Sequence, residues 1–250
     1  MPNTRNIALV GLTGLAGEAL LNLLDEHEFD FEQIHLVDTE EQAGGRHMVK
    51  GHSQRVEVLE RFDFSQVAVV LFADAWLASD WADRVVAAGC VVVDACGAFR
   101  HRLDVPLVVA EVNPQALADM GARRIVSCPD AQVVQTLIAL QPLVAEAGLQ
   151  SLTIATYQSM STLGNDEVEA LALQTGRLLN GQPAEKGAFD KQAAFNLIPR
   201  VGELDEAGNS QLEQHLVEDV RRILGMPQLA VAARKPGVPA TGTGSLPIAR

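Results

Sequence analysis

A chain of 250 residues, 48% of them hydrophobic, can build one large or two ordinary domains with a sizeable core. Its formal charge of −13 and 4% aromatic content argue against nucleic acid or an anionic membrane surface as partner, because neither a cationic footprint nor a base-stacking platform is available. No apolar run approaches the ~20 residues of a membrane span, and Gly11 interrupts the first one where a leader would continue. The three cysteines, Cys90, Cys96 and Cys128, cannot all pair and lack metal-ligand spacing. A cytoplasmic protein with free thiols and no metal is the expectation.

The chain opens on the stretch that organises the rest, residues 6–24, NIALVGLTGLAGEALLNLL. An apolar run over 7–10 breaks into Gly11, Gly14 and Gly17 and resumes with helical spacing at Ala19, Leu20, Leu23 and Leu24. That pattern predicts strand, glycine turn and helix, the arrangement in which backbone N–H groups and a helix N-terminus hold a pyrophosphate. Gly11, Thr13, Gly14, Leu15 and Gly17 are therefore the candidate phosphate cradle. A second strand is expected over 33–37, with Asp38 at its end placed to accept from an adenosine ribose. A polar, turn-rich segment follows over 38–51. Strands are expected over 67–72 and 90–94, with a helix at 81–89 between them, then a short strand at 107–110, a short helix after Pro114 and a last strand at 124–127. Apolar runs alternating with helices predict a parallel, Rossmann-like sheet covered on both faces, residues 1–131.

After Pro129 the period becomes helical, with Asp130 as N-cap and Val133, Val134, Leu137 and Ile138 on one face. Strands are expected at 152–157 and 195–198 and helices at 166–179 and 210–224, which together read as an α+β domain over 132–231. Its outer sheet face calls for a cover that a second copy of the chain would supply. The Gly-, Pro- and Ala-rich stretch 232–250 is expected to be an irregular or disordered tail.

Six segments in order, GLTGLAG (11–17), DACGAFR (94–100), VPLVVAEVNP (105–114), IVSCPDA (125–131), TYQSMSTLG (156–164) and FDKQAAFNLIP (189–199), resemble aspartate-semialdehyde dehydrogenase, most closely its Usg-type paralogues. The resemblance implies a homodimer with an NADP-binding domain and reductive dephosphorylation of an acyl phosphate through a cysteine thioester. It also implies where the chemistry should sit. The family's nucleophile ends an Asn-Pro-Asn-Cys motif, and here those positions are Cys128-Pro129-Asp130-Ala131, so the nucleophile position holds Ala131. Cys128 lies three residues away and reads as a packing thiol, a vestigial candidate at most. Gln158 matches the residue that orients the catalytic His, Arg100 the substrate-phosphate arginine and Glu213 a substrate-binding acid. No His follows position 215, and the resemblance implies that a strand with a substrate Arg and a late His are missing at a truncated C-terminal end. Glu41 and Gln42 replace the family's 2′-phosphate contacts, and Asp38 and Glu41 favour NAD over NADP, with weak binding. Ala75-Trp76 replaces a Gly-Gly loop, and the indole is expected to crowd the cofactor. Three readings stay open: a dehydrogenase-like protein with absent or weak activity, an active NAD(P)-dependent enzyme, and a non-enzymatic binding or dimer-partner protein.

Overall fold

The computed structural model describes residues 5–185, 187, 189, 191–199, 204–206, 208–239 and 246–249. The chain divides into two compact units between Pro129 and Asp130. The first carries β1 (Ile7–Val10), α1 (Leu15–Glu26), β2 (Ile34–Asp38), β3 (Arg46–Val49), β4 (His52–Val58), β5 (Val69–Phe72), α2 (Ala75–Ala87), β6 (Val91–Asp94) and β7 (Ile125–Ser127). They form one seven-stranded sheet in the order β3-β4-β2-β1-β5-β6-β7, parallel except between β3 and β4.

Alternation along the strands decides which helix covers which face. Leu9 and Leu36 pack with Leu21 and Leu24 of α1, while Ala8, Val10, Val37, Val70 and Phe72 pack with Leu77, Ala78 and Val85 of α2. The chain leaves β1 toward β2 and later returns to β5 on β1's other side. The crevice outside the carboxyl ends of β1 and β5 is thus the topological switch point, where open α/β sheets take their ligands.

Two expectations for this unit are corrected. The turn-rich segment after Asp38 contains β3 and runs into β4, a hairpin joined at Lys50 and Gly51 with φ of 49° and 77°. A lysine stands where Asn or Asp would have marked the turn, so the hairpin carried a weak signal. The strand expected at 107–110 is a single bridge from Leu107 to Ser127, because the Asn113 side chain takes the Val109 N–H at 2.8 Å.

The second unit contains α3 (Ala131–Ala147), β8 (Ser151–Ser159), α4 (Asn165–Leu179), α5 (Gln211–Ile223), β9 (Ala230–Arg234), β10 (Gly237–Val238) and β11 (Leu246–Ala249). β9 and β10 run parallel to β8, and β11 runs antiparallel to it. The irregular tail expected over 232–250 is therefore corrected for residues 232–234, 237–238 and 246–249. Alanines make a poor isolated strand, but β8 provides backbone pairing over five residues and α5 packs on β9, which outweighs intrinsic propensity. The strand expected at 195–198 is also absent. Phe195 has φ of +58°, and only Ile198 bridges, to Gly237.

Candidate functional site

In the first unit the three glycines differ in what holds them. Gly11 has φ of +88°, and a Cβ there would lie 2.8 Å from the Cβ of Asp74. A Cβ on Gly17 would lie 2.3 Å from the carbonyl oxygen of Gly11. Both are required by packing alone. Gly14 is different. Its φ of −98° suits any residue, and a Cβ there would meet nothing within 4 Å. It is the N-cap of α1 and has no side chain to offer the first-turn N–H groups, so these face outward from an exposed turn formed with Thr13. An open, uncapped helix start at the switch point fits a pyrophosphate. Leu15 opens the helix and is half-buried.

Asp38 is 1% exposed, and its carboxylate accepts the Leu12 N–H at 2.7 Å and the Thr39 N–H at 2.8 Å. Position predicted a ribose acceptor. The geometry gives Asp38 the task of pinning the glycine turn to the end of β2. Arg46, on the hairpin, donates to Ser53, and Glu41 is exposed beyond β2.

Asp94, at the end of β6, went unnoticed in the sequence and shapes the loop carrying Arg100. Fully buried, it accepts from the N–H groups of Cys96, Ala98 and Phe99 and from the Ser127 hydroxyl at 2.6 Å. An acid ending a strand before a small-residue turn was the available signal. Arg100 is half-buried and its Nε donates to His101 at 3.1 Å. The thiols around this network are held protonated. Burial pushes Cys96 up, and its hydrogen bond to Asp94 pushes it further. Burial, then the Asp94 charge, raises Cys128. Burial raises Cys90, whose Sγ lies 3.1 Å from the Phe64 carbonyl.

In the second unit the segment 234–237 gathers what the sequence had scattered. Ala131 is exposed at the first position of α3. Its neighbour Asp130 caps the helix through the Gln132 N–H at 2.9 Å and pairs with Lys235 Nζ at 2.9 Å. The Lys235 side chain is 3% exposed and that of Asp130 29%. Lys235 also donates its backbone N–H to Glu213 Oε1 at 3.1 Å. Glu213 is buried. Its Oε2 accepts the Ser210 N–H at 2.9 Å, closing a capping box at the start of α5, with Arg234 Nη1 at 3.8 Å. Gln158 donates its backbone N–H to the Pro236 carbonyl and its Nε2 to Thr162, while its buried Oε1 has no partner among the described residues. Gln132 Nε2 likewise has no partner among the described residues, while its Oε1 accepts from the Thr156 hydroxyl on β8 at 3.2 Å. Where the family resemblance implied a missing strand with an arginine, the chain forms β9, which ends on Arg234. Its alanine-rich sequence hid it.

A parallel sheet with a glycine turn at its switch point, followed by a separate α+β unit with a polar cluster at the head of its first helix, is the fold of the two-domain semialdehyde-dehydrogenase class. Residues 6–120 match the family model described as "Semialdehyde dehydrogenase, NAD binding domain", and residues 140–246 match "Semialdehyde dehydrogenase, dimerisation domain". The chain belongs to the aspartate-semialdehyde dehydrogenase family. It is 38% identical over 227 residues to aspartate-semialdehyde dehydrogenase 2 of Vibrio cholerae, covering 90% of this chain and 67% of that protein. It is 41% identical over 228 residues to the USG-1 protein homolog of Azotobacter vinelandii, covering 91% and 68%. The crystal structure of aspartate semialdehyde dehydrogenase II from Vibrio cholerae complexed with ASA superposes with a TM-score of 0.90 at 37% identity, covering 95% of this chain and 71% of that one. The two-unit fold and the Usg-type kinship read from the sequence stand. Among the described residues, no helix is long and apolar enough to cross a membrane.

Proposed function

We propose that this chain is a Usg-type dehydrogenase-like protein that binds a nicotinamide dinucleotide weakly and carries out little or none of its family's thioester chemistry. The observation that carries the reading is the head of α3. Ala131 stands where the family resemblance puts the nucleophile, and the adjacent Asp130 is already satisfied by the helix N-terminus and the buried Lys235. The raised thiols of Cys96 and Cys128 leave no ready thiolate among the described cysteines. Such a site lacks the group that would form an acyl-enzyme, whatever its affinity for substrate.

A bound nicotinamide would supply hydride transfer. Thr13, Gly14 and Leu15 would hold its pyrophosphate, and Asp38 would act through the turn it pins. Asp38 at the end of β2 and Glu41, exposed beyond it, oppose a 2′-phosphate, which supports NAD over NADP. Glu18, the acid in the first turn of α1, weakens anion binding there and supports modest affinity. Arg100 is the candidate substrate contact of the first unit, and Glu213 that of the second. The match to a dimerisation domain supports a homodimer through residues 132–231 and a role as binding or dimer partner.

The test pairs calorimetry with NAD and NADP against an assay of phosphate-dependent NADPH or NADH formation from aspartate semialdehyde. Binding without turnover is the expected result. Turnover abolished by Cys128→Ser would make this a working enzyme with a displaced nucleophile. Tighter NADP than NAD binding would reverse the cofactor assignment.

A further inference from the structure

The chain has two tryptophans, and the fold explains one of them. Trp81 packs beside Phe64 and under the guanidinium of Arg84, 4.8 Å from its ring centre. Trp76 is 72% exposed in the first turn of α2, and no ring or cation partner is found for it among the described residues.

Its place is specific. Ala73 N–H bonds to the Val10 carbonyl, extending the β1–β5 pairing by one step, and the next residue, Asp74, is the one that Gly11 would strike if it had a Cβ. Asp74 then caps α2 by accepting the Leu77 N–H at 2.8 Å. The α2 start is thereby fixed against the glycine turn, and Trp76 stands two residues beyond the contact. An indole left in water at the rim of a switch-point crevice is a large planar surface without a use in the fold. The crowding of the cofactor expected from sequence requires the indole to fold inward; its exposure places it on the rim.

The two nucleosides of a dinucleotide lie on opposite sides of the pyrophosphate. The β2 side receives the adenosine ribose. With adenosine on the β2 side, the sheet order β2-β1-β5 leaves the β5 side, where α2 begins, for the nicotinamide. We propose that Trp76 is a stacking platform for the nicotinamide ring, its electron-rich face meeting the cationic oxidised ring. This inference rests on the dinucleotide reading above and adds the residue that recognises the redox end of the ligand.

Two ligands separate the claims. NAD carries the nicotinamide, and ADP-ribose has the same adenosine and pyrophosphate without it. Both are titrated by calorimetry and by tryptophan fluorescence into the full chain, Trp76→Phe and Trp76→Ala. NAD should quench the wild-type emission and ADP-ribose should bind without quenching. The Trp76→Ala change should weaken NAD by about 5- to 150-fold, the range of a lost stacking contact, and ADP-ribose by less than about twofold. Trp76→Phe should retain most of the NAD affinity while losing the quench. Equal effects on both ligands, or NAD binding that leaves the Trp76 emission unchanged, would overturn the stacking proposal while leaving the dinucleotide site in place. Absence of heat with either ligand would overturn both.

Discussion

Removing either member of the Asp130–Lys235 pair should cost very different amounts, and the difference follows from their burial. Asp130→Ala strands an ammonium whose side chain is 3% exposed, which costs about 3–5 kcal/mol for an uncompensated buried charge, and it also removes the α3 cap, worth about 1 kcal/mol. Lys235→Met leaves a carboxylate that is 29% exposed, still receives the Gln132 N–H and still sits at a helix N-terminus. Its loss should cost about 1–2 kcal/mol. The double change Asp130→Asn with Lys235→Met removes both charges and keeps an N-cap, so it should fall within about 1 kcal/mol of wild type. Urea unfolding followed by far-UV circular dichroism measures this, with the two units fitted as separate transitions where they separate. At typical denaturant slopes the two single variants should differ by about 1–2 M in midpoint. Hydrogen exchange at the α3 and β8 amides should show the loss in the second unit. Lys235→Met costing as much as Asp130→Ala, or both costing under about 0.5 kcal/mol, would refute the assignment of Lys235 as the stranded partner.

Ala131→Cys alone should leave the chain without semialdehyde turnover, because the new thiol would lie beside the Asp130 carboxylate, which disfavours a thiolate; NADPH formation above wild-type background would contradict this. Asp38→Ala leaves the Leu12 and Thr39 N–H groups without their acceptor and should destabilise the first unit by about 2–4 kcal/mol, read by urea midpoint, with weaker NAD binding. The cysteines should react with a neutral alkylating reagent at pH 7 at least about tenfold more slowly than free cysteine and equal it after unfolding, since raised thiols are protonated there; fast native labelling at Cys128 would count against its assignment. The hydrogen bond from Arg102, then that from Arg123, lowers Asp104 from 3.8 to about 2. A depressed carboxylate contributes stability that is complete above its unfolded value and lost as pH falls from about 4 through about 2, so Asp104→Asn should lower Tm above about pH 4 and flatten its fall across that window.

The first unit was legible because its signals are local. A four-residue apolar run, a glycine turn and helical spacing determine β1, α1 and their register with little help from elsewhere. The β3–β4 hairpin escaped because Lys50 adopts a positive φ without being a turn-forming residue type. β9 escaped for the opposite reason: Ala230–Arg234 has little strand preference of its own and is a strand because β8 pairs with it. The site followed the same division. Ala131 and the cap at Asp130 could be read from the four residues of one motif, whereas Lys235, 105 residues further on, becomes its partner only through the sheet. Asp38 was found at the right place, but its hold on the Leu12 and Thr39 N–H groups could not be read there, since position in sequence does not say which way a carboxylate turns.

The unequal reasons for the three glycines bear on how such fingerprints age. Selection for folding alone would keep Gly11 and Gly17, because any side chain there strikes Asp74 or the turn's own backbone. It would do nothing to keep Gly14, where a Cβ has open space. A lineage that had stopped binding dinucleotides would thus go on displaying most of the motif for as long as it folded. Two of the letters record architecture, and the middle one records the ligand. In this chain the middle letter is intact.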